Sequence, residues 1–133
     1  MSLLLDTHVW IWSQEMPERI GPGATLRISD ASEPLYVATI STLEIARLIH
    51  LELLSLKGPL SEWVAESIEA LGCISIELSH NMAAAAYDLP GDFHKDPADR
   101  ILVATARVQD LTLVTADDRI LKYAHVRSLD VRR

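Results

Sequence analysis

Leu3-Leu4-Leu5-Asp6-Thr7-His8-Val9-Trp10 is the stretch that decides how the rest of the chain is read. Three consecutive leucines show no two-residue alternation, so they fit a strand buried on both faces, as in a parallel sheet. The run stops on a carboxylate, and Thr7 to Trp12 reads as helix. The same order returns at Leu113-Val114-Thr115-Ala116-Asp117, where a strand over 112–115 ends two residues before an acid. Further strands are expected at Leu35 to Ala38, Cys73 to Glu77 and Val126 to Val131. Between them come helices near 24–31, from Ser41 to about Ile49, from Pro59 to Leu71, from Asn81 to Tyr87, from Pro97 to Gln109 and from Asp118 to Tyr123. Gly72 stops the third of these. Strands alternating with helices imply a single α/β domain over 1–133. Its central sheet should be mainly parallel, with four to five strands flanked by helices.

Composition narrows the class. With 49% apolar and 23% charged residues, the 133-residue chain has enough apolar surface for one core, and disorder is excluded. The one cysteine, Cys73, excludes an intramolecular disulfide and a multi-cysteine zinc site. At the start of a buried strand it is expected to be inert. Asp6 and His8 interrupt the apolar run from Met1 before it resembles a signal peptide, and no apolar stretch reaches membrane-spanning length. A cytoplasmic location without membrane attachment is the expectation. The net charge is −7, but residues 94–133 hold 8 basic and 6 acidic groups, against 4 and 13 in residues 1–93. Overall acidity argues against binding driven by a nucleic-acid backbone alone, while leaving room for a basic rim around an acidic pocket.

Ligands of parallel α/β sheets bind outside the carboxyl ends of the strands. Four acids are expected there. Asp6 follows the first strand, Glu44 lies about a helical turn beyond the second, Asp99 is in the first turn of the helix before the fourth, and Asp117 follows the fourth. Each has a local explanation. Ser41-Thr42-Leu43-Glu44 and Asp96-Pro97-Ala98-Asp99 both fit a capping box, and Asp6 and Asp117 fit helix caps. Caps do not explain convergence on one edge. Carboxylates about 5 Å apart repel by roughly 3 kcal/mol per pair at an effective dielectric of 20. Such a cluster requires protonation or a cation. Oxygen ligands without Cys or His favour Mg²⁺ or Mn²⁺ over Zn²⁺.

The segments Leu3 to Trp10, Ser41 to Glu44, His94-Lys95-Asp96-Pro97-Ala98-Asp99-Arg100-Ile101-Leu102 and Leu113 to Asp117 resemble, in order and spacing, the signatures of PIN domains. The closest resemblance is to VapC-type ribonuclease toxins of toxin–antitoxin pairs, and it spans almost the whole chain. It implies a Mg²⁺-dependent endoribonuclease, with Mn²⁺ as a substitute and Asp6, Glu44, Asp99 and Asp117 as catalytic metal ligands. It also implies an activated water as nucleophile, products with 5′-phosphate and 3′-hydroxyl ends, and a small antitoxin as partner. The rival readings are a nuclease of the same fold acting on DNA or structured nucleic acid, and a partner-binding module without activity. The latter is expected to lose one or more acids, whereas all four are present.

Other residues have candidate roles around these acids. Thr7 and Thr115 can hydrogen-bond the carboxylates or a water on the metal, or simply start helices. Asp96 reads mainly as a cap beside the metal ligands, and Asp118 as surface. Arg100 can steady a carboxylate, contact phosphate or form a surface ion pair. His94 can touch substrate from the loop before Asp96. Trp10 and Trp12 cannot share one helix face, so one belongs to the core and the other to an interface. Ile45, Leu48, Ile49, Leu51, Leu53, Leu54 and Leu56 exceed what one small core accommodates. That excess suggests a homodimer or a docked antitoxin, unless a neighbouring helix covers it.

Overall fold

The sheet is built outward from Leu3–Leu5 (β1), whose three side chains are fully buried. The structure, a computed structural model, describes residues 2–133. Met1, the first residue of the expected domain and of the apolar run into β1, lies outside the described residues. β1 pairs in parallel with Leu35–Ala38 (β2) on one side and Thr112–Thr115 (β4) on the other, with Leu3 in register with Leu35 and Thr112. Ile74–Ile76 (β3) joins β2, and Ser128–Asp130 (β5) joins β4. The five strands are all parallel, in the order β3-β2-β1-β4-β5. After β1 the chain builds toward β2 and β3, then crosses back to β4. The direction of winding therefore reverses between β1 and β4, and their carboxyl ends open onto a crevice.

Strand alternation divides the interior between two layers. Leu3, Leu5, Val37 and Val114 meet Trp10, Ile45 and Trp63. Those residues belong to Thr7–Glu15 (α1), Thr39–His50 (α3) and Leu60–Leu71 (α4). Leu4, Ala38 and Leu113 meet Leu102, Val103, Ala106 and Ile120 on the other face. These come from Pro97–Val108 (α6) and Asp118–Leu121 (α7). Pro22–Ile28 (α2) and His80–Ala85 (α5) complete the set. Trp10 is buried and its Nε1 donates to Ser67 Oγ at 3.0 Å, so it is the core tryptophan of the pair.

Several boundaries and environments differ from the sequence reading. α1 continues to Glu15, and the helix expected near 24–31 runs from Pro22 to Ile28, with proline at its first position. α3 starts at Thr39, straight out of β2, and Ala38 caps it without a side-chain hydrogen bond. Ser41-Thr42-Leu43-Glu44 is therefore not a capping box. Ser41 and Glu44 lie inside the helix, and both are engaged by Thr7 of α1.

α3 ends as the Leu53 N–H donates to the Leu48 carbonyl at 2.9 Å, with Glu52 in the left-handed region at φ 59°. This reversal folds the apolar stretch back on itself. Ile45 is buried, and Leu48, Ile49, Leu54 and Leu56 pack with Leu60, Val64 and Ile68 of α4 against the first core. Of the expected excess, only Leu51 and Leu53 remain exposed. β3 is an edge strand with Ile74 and Ser75 exposed, not a buried one. Cys73 sits just before it, free and buried, and burial pushes its thiol up.

Candidate active site

Asp6, Glu44, Asp96, Asp99 and Asp117 line one pocket over the crevice between β1 and β4. Each arrives by a different local route. Asp6 is the N-cap of α1. Its Oδ1 accepts from the Thr7 N–H at 2.7 Å, and its Oδ2 accepts from Thr115 Oγ1 of β4 at 2.6 Å. It is 7% exposed. Burial raises its pKa, against the lowering effect of the Thr115 hydroxyl. Glu44 projects from the second turn of α3, where its Oε1 accepts from Thr7 Oγ1 at 2.5 Å. Ser41 Oγ lies 2.9 Å from the same hydroxyl. Burial raises the Glu44 pKa as well.

Asp99 sits in the first turn of α6. Asp96 caps that helix by accepting from the Asp99 N–H at 3.1 Å, which leaves the Asp99 carboxylate to face its neighbours. Its pKa is pushed up to about 7, first by burial and then by Asp6, Asp96, Glu44 and Asp117. Asp117 caps α7 by accepting from the Arg119 N–H at 2.8 Å, and Arg119 Nη2 also reaches its Oδ2 at 2.9 Å. Those hydrogen bonds hold its pKa below the usual carboxylate range. Capping and convergence are thus the same fact. A cap at the end of a strand must stand where the strands end.

Two triads of ligand atoms each lie within 4.8 Å: Glu44 with Asp96 and Asp99, and Asp99 with His94 and Asp117. Asp99 belongs to both. A buried carboxylate cluster that raises one of its own members toward neutrality suits a hard divalent cation bound through oxygen. The donor set fits such an ion on chemical grounds.

The remaining candidates separate. Thr7 and Thr115 are buried and hold Glu44 and Asp6 in place. His94 Nε2 lies 3.1 Å from Asp99 Oδ2 but outside hydrogen-bond geometry, and it has no such partner among the described residues. Burial, followed by the charge of Arg119, pushes the His94 pKa down. Arg100 turns away from the carboxylates. Its guanidinium donates to the carbonyls of Ala86 (2.8 Å), Phe93 (3.0 Å) and His94 (3.1 Å) and lies over the Tyr87 ring. The role expected for it toward a carboxylate or phosphate is therefore corrected to a strap for the loop. Asp118 is exposed and pairs with Arg132. Trp12 lines the pocket beside His8, with Arg19 over its ring. His8 and Arg119 escaped the sequence reading. Their only signal was a position two residues after Asp6 and Asp117, respectively.

Comparison with known proteins adds an independent line. The model of the PIN domain family matches residues 3–126. The chain is 38% identical over 130 residues to Ribonuclease VapC22 of Mycobacterium tuberculosis (strain ATCC 25618 / H37Rv), covering 98% of each chain. Among solved structures, it resembles DNA-bound VapBC from Salmonella typhimurium at a TM-score of 0.68 and 19% identity, over 98% of both chains. It also resembles a toxin–antitoxin complex from Klebsiella pneumoniae at a TM-score of 0.63 and 17% identity, over 96% of both. At these identities the two structural likenesses speak to the fold.

Proposed function

The chain belongs to the PIN domain family, and from that premise we propose that it is a metal-dependent endoribonuclease acting as the toxin of a toxin–antitoxin pair. The observation that carries the reading is the meeting of Asp6, Glu44, Asp99 and Asp117 in one pocket at the winding reversal of a parallel sheet. These four are the proposed metal ligands and catalytic residues, with Mg²⁺ as the working ion and Mn²⁺ as a substitute. A divalent cation bound there supplies positive charge against the scissile phosphate and makes water a stronger nucleophile near neutral pH.

The chain's own residues do the positioning. Thr115 fixes Asp6 through one oxygen, and Thr7 with Ser41 fixes Glu44, so both carboxylates are oriented before any ligand arrives. Asp96 holds the first turn of α6 and thereby the direction of Asp99. No side chain is needed as a covalent nucleophile, and hydrolysis leaves 5′-phosphate and 3′-hydroxyl ends. Among the described residues no helix is long and apolar enough to cross a membrane, consistent with work on cytoplasmic RNA. The antitoxin, and a second copy of the chain as a homodimer, would draw on the leucines left exposed at Leu43, Leu51 and Leu53.

The test is cleavage of a mixed RNA pool by purified protein with Mg²⁺. Asp6→Asn should lose about 100-fold or more of the rate, as expected when transition-state charge stabilisation is removed, while its circular dichroism stays that of the parent. A well-folded Asp6→Asn that cleaves at the parental rate would falsify the assignment.

A further inference from the structure

Arg119 is a cation standing among the proposed ligands. Its Nη2 is 2.9 Å from Asp117 Oδ2 and 3.7 Å from Asp99 Oδ2, and its Nε is 3.2 Å from Asp117 Oδ1. A divalent ion bound by Asp99 and Asp117 needs oxygens that this guanidinium now holds, because both Asp99 and Asp117 lie in one group of closely spaced ligand atoms. Nothing else anchors the arginine. Its side chain is 61% exposed at the pocket mouth, and it stands on the four-residue α7. Its hydrogen bonds to side chains go to Asp117 alone. A mostly solvated guanidinium can swing, and its fork geometry matches phosphate as well as carboxylate.

Building on the proposed metal site, we infer that Arg119 serves the reaction in two positions: it neutralises Asp117 and Asp99 until a divalent ion takes their oxygens, and it then binds a backbone phosphate of the RNA. The arginine competes with the ion for ligands and cooperates with it for substrate. Displacement does not strand the charge, because the incoming polyanion supplies the partner that the carboxylates gave up. Lysine at this position keeps the charge but loses the bidentate grip.

The experiment compares the parent, Arg119→Gln and Arg119→Lys in two measurements that require no turnover. Mn²⁺ affinity is read by titration calorimetry. Binding of a short mixed-sequence RNA with phosphorothioate linkages, at saturating Mn²⁺, is read by anisotropy over a range of salt. Arg119→Gln should bind Mn²⁺ roughly 2–5-fold more tightly, the range expected for losing an exposed ion pair. It should bind RNA more weakly, with a salt slope lower by about 0.7, the value of one phosphate contact on a single strand. Arg119→Lys should keep the parental salt slope. Parental Mn²⁺ binding with no tightening in Arg119→Gln overturns this inference and leaves the metal site standing. Tightening with an unchanged salt slope overturns the phosphate contact. Absence of Mn²⁺ binding by the parent overturns both the inference and the site beneath it.

Discussion

Asp99 is the residue whose ionisation is most strained by its surroundings. It is buried beside Asp6, Asp96, Glu44 and Asp117, and its pKa of about 7 in the fold compares with 3.8 for a free aspartate. A folded value above the unfolded one means that the native state holds the proton more tightly. The stability it gives is complete below the unfolded pKa and is lost as pH rises through the folded pKa. Asp6 and Glu44 shift in the same direction. The metal-free protein should therefore melt at progressively lower temperature between about pH 4 and about pH 7. In EDTA, Asp99→Asn should flatten that slope and melt above the parent at about pH 8, because it removes the least tolerated charge. A steeper slope in the variant contradicts the repulsion argument. Thr115→Val probes the opposite case, a residue that helps a charge. It removes the hydroxyl that Asp6 Oδ2 accepts from, and should weaken Mn²⁺ binding about 10–100-fold, as loss of a ligand-orienting group does. Calorimetric titration reads that directly.

Among the elements, α6 shows how a short segment carries two duties. Its first turn places Asp99, while Arg100 faces the other way and gathers three carbonyls of the loop that precedes it. Arg100→Ala should cost about 1–3 kcal/mol by leaving those acceptors without a charged donor. The denaturant midpoint should fall while the parental Mn²⁺ affinity is kept. Matching losses in stability and affinity would mean that the strap also sets the ligands. The sequence was readable where burial alone decides an element. β2 and β4 begin and end as expected, because short apolar runs bounded by polar residues have few alternatives. It was unreadable where two elements share a polar atom. Ser41 looks like a cap from its neighbours in the chain, but its partner is Thr7, thirty-four residues away. Arg100 beside Asp99 suggested a carboxylate contact, whereas successive helix positions point about 100° apart. The apolar run from Ile45 to Leu56 looked like a partner's surface because nothing local announced a chain reversal at Glu52, a residue with no special liking for positive φ. The four acids were legible for a topological reason, since strand ends in a parallel sheet gather whatever follows them.

For the molecule as a whole, the concentrated negative charge at one edge makes a divalent ion a structural partner. Binding to the native state alone stabilises by mass action, and for a dissociation constant of about 1 mM, about 10 mM metal adds about 1.4 kcal/mol. A domain of this size should then melt roughly 3–8 °C higher. Mg²⁺ and Mn²⁺ should both produce the shift, a monovalent salt of equal ionic strength should not, and Asp6→Asn should respond less than the parent. Equal shifts in all salts would reduce the effect to screening of a −7 chain.

The hydrogen bond from Thr115 to Asp6 joins residues 109 positions apart, and that separation sets a schedule. A ribosome delivers Asp6 early, yet β1 cannot take its place beside β4 until the latter has left the exit tunnel. Through most of its own translation the polypeptide has Asp6 and Glu44 but no Asp117 to complete the set. An RNA-cutting protein made on a machine of RNA, from a message of RNA, is thereby kept inactive during synthesis by the order of its own sequence. Its activity begins only when β4 and α7 are out and β1 has closed against them.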